Sequence, residues 1–143
     1  MADPLVISSD LELYLTGWYR SALAARPEQY CQGVVVTNRE PGPNDTWPKR
    51  LLVIRDDGGA VTGTITAEHS VGLSVLAGTK EAPQEAKDLA RMVHALRSQI
   101  PSIEVSNPVS AVLSAFGPYA VAEAQPAARQ YLTITVAVVG TPL

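Results

Sequence analysis

The chain is poor in the residues that most often carry chemistry. Its 143 residues include one cysteine, Cys31, and two histidines, His69 and His94. A lone cysteine cannot close an internal disulfide, so a disulfide framework is excluded and a reducing compartment is the simple expectation. Two widely separated histidines with no second cysteine do not make a metal-ligand pattern. Charge is scarce as well: Asp, Glu, Lys and Arg make up 17 % of the chain, against about 25 % in an average globular protein. Lysine and arginine never cluster and the net charge is −3, so the electrostatic footprint of a nucleic-acid binder is missing. There is no long apolar run. The longest uncharged stretch, 105–122, is broken by Asn107, Pro108, Gly117 and Pro118, which rules it out as a membrane span. Residues 1–10 carry Asp3 and only a three-residue apolar run, unlike a signal peptide.

What is present is apolar and patterned. Apolar residues make up 46 % of the chain, and the length suits one domain spanning residues 1–143. A sparse charge set leaves weakly polar surface, which suits a protein that hides part of itself against partners. Ser9 and Glu12 have the spacing of a capping box. Leu11, Tyr14, Leu15, Trp18, Ala22 and Ala25 then form a helical stripe, predicting a helix over 10–25 that ends before Arg26-Pro27. Gly17 lies inside it at a cost of about 1 kcal/mol relative to alanine. Val34, Val35 and Val36 read as a strand, and 51–55 as a second. Asp56-Asp57-Gly58-Gly59 offers a hairpin turn. A third strand follows Val61 and runs through Val75. Ala86, Leu89, Val93, Leu96 and Ile100 stripe a second helix over 83–99, closed by Pro101. Two short strands, 109–113 and 119–121, flank a Gly117-Pro118 turn. The last, 131–139, puts Leu132, Ile134, Val136 and Val138 on one face and Tyr131, Thr133, Thr135 and Ala137 on the other. The order is helix, three strands, helix, three strands. It predicts an α+β fold with a mostly antiparallel sheet and two helices packed on it, with 131–139 in the sheet interior because a long β-branched run is costly on an edge.

No motif for catalysis is complete. Gly72-Leu73-Ser74-Val75-Leu76 lacks the final glycine of a nucleophile elbow. Gly78-Thr79-Lys80 has the wrong order for a phosphate loop. Asp56 and Asp57 read as turn residues, Cys31 as structural, and His94 as solvated or packed beside the helix stripe. Asn44-Asp45-Thr46 matches a glycosylation acceptor, which means little without a secretory signal. The chain is therefore read as a non-enzyme with no catalytic residue, metal ligand or cofactor.

The one residue out of place is Trp47, in the proline-rich loop 39–49. An indole there either plugs the loop onto its own domain or anchors a partner. Under the second reading the loop is a docking arm. Trp47 is its anchor and Arg39, Glu40, Asp45 and Lys49 form its polar rim, while Pro41, Pro43 and Pro48 reduce the entropy lost on docking.

Taken together, these segments resemble the tail terminator proteins of long-tailed bacteriophages, especially those of phages of actinobacteria. The resemblance is carried by Asp10-Leu11-Glu12-Leu13-Tyr14-Leu15-Thr16-Gly17-Trp18-Tyr19-Arg20, by Leu51-Leu52-Val53-Ile54-Arg55-Asp56-Asp57, and by Ser70-Val71-Gly72-Leu73-Ser74-Val75-Leu76-Ala77-Gly78-Thr79-Lys80 before Asp88-Leu89-Ala90-Arg91. It continues through Asn107-Pro108-Val109, Gly117-Pro118-Tyr119, Gln125-Pro126 and Leu132-Thr133-Ile134-Thr135-Val136-Ala137-Val138-Val139-Gly140. No single piece encodes chemistry; order and spacing carry the likeness. Ser114-Ala115-Phe116 departs from it, since a more polar turn is typical there, and 61–67 is looser.

The resemblance implies a virion protein, made in the host cytoplasm, that assembles as a hexameric ring at the head-proximal end of the tail. Such a ring caps the tail tube protein, stops its polymerisation, and meets a neck or head-completion protein on its other face. DNA crosses the lumen without specific binding, and a net negative subunit suits that passage. The alternatives are another ring-forming neck or tail protein (head closure or tube subunit), a small-ligand-binding α+β domain with a polar pocket, or an adaptor that docks partners through loop 39–49.

Overall fold

The computed structural model describes residues 5–104, 106–122 and 127–143. The acidic N-terminal Asp3 and the Gln125-Pro126 step lie outside the described residues. In chain order the elements are β1 (Val6–Ile7), α1 (Leu11–Ala24), β2 (Val35–Thr37), β3 (Arg50–Asp56), β4 (Thr66–Ala77), α2 (Gln84–Leu96), β5 (Val109–Val121), β6 (Ala128–Val139) and β7 (Thr141–Pro142), with short 3-10 turns at Gln29–Cys31 and Arg97–Gln99. Strands β1 and β7 form a small antiparallel pair, and the main sheet has the order β2-β3-β4-β6-β5. This is the expected α+β fold. Every pairing in the main sheet is antiparallel except β2 with β3.

Both helices cover one face of that sheet. Alternation places Leu52 and Ile54, then Val71, Leu73 and Val75, then Leu132, Ile134 and Val136 on this face. Helix α1 contributes Leu11, Leu15, Tyr19 and Leu23 to the same core, and α2 contributes Leu89, Ala90, Val93 and Leu96. The α1 stripe is thus rotated from the expected one: Tyr14, Trp18 and Ala22 flank the core half-buried, and Ala25 is exposed. Buried apolar side chains of this size each contribute roughly 1.5–3 kcal/mol. Strand β6 lies between β4 and β5, the interior position its β-branched run predicts.

Four local expectations change. The capping box does not form. Asp10 caps α1 by accepting the Leu13 N–H at 3.1 Å, while the Ser9 hydroxyl donates to the Val139 carbonyl at 3.0 Å. Glu12 instead accepts the Asp56 N–H at 2.8 Å, tying α1 to β3. Residues 56–59 are not the hairpin turn. The Asp57 N–H donates to Ser70, Ser70 to Gly58, and Glu68 to Ala60, so the β3–β4 hairpin continues past a kink and turns where Thr62 and Gly63 donate to the Thr66 carbonyl.

The two expected strands 109–113 and 119–121 are one strand, β5, with three register shifts against β6. At the Phe116/Tyr119 shift, Gly117 has φ +97° and an added Cβ would meet the Tyr131 carbonyl oxygen at 2.8 Å. A glycine that reads as a turn is here a bulge. Finally, β2 and β3 run parallel, so loop 38–49 is a crossover. A crossover needs about a dozen residues, which gives that loop's length a topological cause.

Candidate functional site

The helix-free face of the sheet carries an open cleft. Its floor is set by the alternate residues of the core strands: Val53 and Arg55 from β3, Gly72 and Ser74 from β4, and Arg129 and Tyr131 from β6. Asn38, Arg39 and Glu40 form one wall and Tyr119 and Val121 of β5 the other, around a cleft of about 610 Å³. Gly72 makes room for Tyr131: a methyl at 72 would lie 2.5 Å from the phenol oxygen. Tyr131 stacks edge-on with Tyr119, ring centroids 5.8 Å apart, and Tyr119 likewise with Phe116 at 5.8 Å. An aromatic ladder thus runs from the cleft to the sheet edge.

The cleft gathers three arginines that the sequence holds far apart. Arg129, buried, pairs with Glu40, and Arg55 pairs with Asp57 at 3.0 Å. Arg39 stands at the rim. Two of the three cations meet carboxylates, so the face is polar and nearly balanced.

Loop 39–49 folds over the β2 end of this face. Trp47 is half-buried against Leu51, Val53 and Leu76, and its indole N–H donates to the Gly42 carbonyl at 3.3 Å. Trp47 thus packs on its own sheet and leaves part of its ring open to solvent. Asp45, exposed, accepts the Gly42 N–H at 2.7 Å within the loop. Glu40 holds Arg129, Arg39 lines the cleft, and Lys49 is exposed. The five residues expected to act together therefore divide between bracing the loop and facing solvent.

On the helix side, Asp56 and His69 form a polar pair at the end of the core. The His69 Nδ1 lies 2.9 Å from both Asp56 carboxylate oxygens, and Asp56 also accepts the Gly58 N–H. Ser74 sits in mid-strand opposite Tyr131, on the other sheet face from His69, so the two make no nucleophile–base pair. Burial pushes the Cys31 thiol up, the reverse of what a reactive thiolate needs. Desolvation, then the Arg97 charge, pushes His94 down. Among the described residues no three His, Cys, Asp or Glu side chains are placed to hold a metal ion, and no helix is long and apolar enough to cross a membrane.

Sequence reasoning missed the cleft. Its signal was the set of small and polar residues at alternate positions, Gly72 and Ser74 facing Tyr131, which shows once the strands are in register. No protein-family model matches the chain, and no curated protein matches it at a significant level.

Proposed function

We propose that this chain is a structural subunit rather than an enzyme: a tail terminator that forms a ring, six-fold on the resemblance, at the head-proximal end of a bacteriophage tail tube. The observation that carries the reading is strand β5. It is a sheet edge of thirteen residues without a single charge, and it exposes Leu113, Phe116 and Tyr119. Charge is a common device that keeps such an edge from pairing. Strand β5 has none and relies on Pro118 and its register shifts alone, and an uncharged edge with exposed apolar side chains suits a chain that assembles. In this reading the ring stops tube growth, meets the neck protein on its other face and lets DNA pass without recognition. The finished protein resides in the virion, after synthesis in the host cytoplasm.

The test is to add the purified protein to polymerising tail tubes and image the ends. Tubes should stop at a ring of repeated copies. Tubes that grow on unchanged, or end in one bound copy, reject the proposal. Open polymers formed by the chain alone point instead to a tube subunit. A second reading, a binder of small anionic ligands, is favoured by the 610 Å³ cleft with Arg39 at its rim and Tyr119 and Tyr131 inside. Native mass spectrometry that finds a monomer with a small anion retained supports that reading over the ring.

A further inference from the structure

The main sheet ends in two unlike edges. Strand β5 is long and uncharged, with Phe116 70 % exposed. Its ring extends the aromatic ladder of Tyr119 and Tyr131, so Phe116 projects on the helix-free side. Strand β2, at the opposite end, has three residues, and its Val36 carbonyl already accepts from the Arg20 guanidinium at 2.9 Å. Beside β2, between the strand and loop 39–49, lies a groove of about 530 Å³. Val35, Leu51, Pro41 and Pro48 give it apolar walls, and Val35 is 45 % exposed. Leu51 belongs to the helix-free face, so this groove opens on the same side of the sheet as the Phe116 ring, at the other end.

We infer that the occupant of the groove is a second copy of this chain: Phe116 of β5 in one subunit seats between β2 and loop 39–49 of the next. Three observations select a second copy. The projecting ring and the receiving groove lie on one face of one sheet, at opposite ends, so a lateral repeat brings each to the other. The two surfaces differ, so the contact is heterologous, the kind that closes a ring or extends a filament. An uncharged strand brings no charge of its own into the contact; on the groove side Glu40 and Asp45 already have partners within their own subunit, and the third charged residue of the lining, Arg39, is exposed, so its guanidinium can stay in water at the rim. The contact is a side chain in a groove rather than a continued ladder, because β2 offers few residues and Arg20 occupies one of its acceptors. This gives loop 39–49 its docking role through Pro41 and Pro48 rather than through Trp47. The inference rests on the ring reading and names its interface.

The test uses the buried Cys31 as a silent background. A Val35→Cys/Ser114→Cys variant keeps the Phe116 ring and places one thiol beside it on the same face of β5, where Ser114 is exposed; treated with a short bis-maleimide, it should give a ladder of cross-linked oligomers. Each single variant should give none, and an equal mixture of the two should give a dimer. Phe116→Glu should weaken self-association at least tenfold while leaving the urea midpoint unchanged, since the ring is exposed within its own subunit. A closed ring in mass photometry without the double-variant ladder overturns this contact but leaves the ring standing. Dimers cross-linked by Ser114→Cys alone mean a two-fold β5–β5 contact and overturn both. A Phe116→Glu variant that assembles like the parent overturns the contact.

Discussion

Both carboxylate oxygens of Asp56 lie 2.9 Å from Nδ1 of His69, and the Asp56 backbone N–H reaches Glu12 of α1 at 2.8 Å. One residue thereby joins β3, β4 and α1 at the end of the core. Its neighbour Asp57 makes only a surface pair with Arg55, the two side chains 38 % and 66 % exposed. Asp56→Ala keeps the backbone link to Glu12 but removes the carboxylate's contacts with His69 and the Gly58 N–H, and should cost about 2 kcal/mol, as for half-buried hydrogen bonds to a charged group. Asp57→Ala should stay within about 0.5 kcal/mol, as for exposed ion pairs. Urea unfolding of the two variants side by side checks the contrast; equal losses would show that the Asp56 contacts do not hold in solution.

Tyr19 is fully buried, and its hydroxyl donates to the Val93 carbonyl at 3.0 Å. Burial pushes its pKa far above the usual phenol value, and the Arg97 charge opposes this only in part. The folded state then keeps a proton that the unfolded chain releases above about pH 10. The stability this group contributes is complete below that pH and falls as pH rises beyond it. Tyr19→Phe should cost about 1–2 kcal/mol at neutral pH and flatten the alkaline decline, read from thermal melts across pH 8 to 11.

Trp47 packs on Leu51, Val53 and Leu76 from outside the main core. Trp47→Ala should lower stability by about 2 kcal/mol, less than the 3–5 of a fully buried aromatic. Unchanged stability with lost tail attachment would instead make Trp47 a partner anchor.

Gly17 and Gly117 should respond oppositely to alanine. Nothing lies within 4 Å of a Cβ built at Gly17, so packing gives no reason for glycine there. Gly17→Ala should stabilise by about 0.5–1 kcal/mol, the helix-propensity difference. Gly117→Ala meets the Tyr131 backbone and a left-handed φ and should destabilise by at least 1 kcal/mol. Differential scanning calorimetry of both variants reads the two signs.

The periodic elements were legible in the chain before any contact was known. Leu89, Val93 and Leu96 recur at helical spacing, and Leu132, Ile134, Val136 and Val138 at strand spacing. Solvent forces each set to one face, so α2 and β6 stand where the pattern places them. Pairing, by contrast, came from contacts between distant segments. Whether β2 meets β3 in parallel depends on the path of loop 38–49, and no local residue states that direction. Whether Asp56-Asp57-Gly58-Gly59 ends a hairpin or kinks it depends on Ser70 and Glu68, which supply the bonds that carry the ladder past it. Whether Gly117-Pro118 is a turn or a bulge depends on β6 lying alongside. The cleft follows the same rule. Arg55, Arg129 and Glu40 are remote in the chain, and register brings them to one face. Local pattern encodes what a segment is; partners far along the chain decide what it lies against.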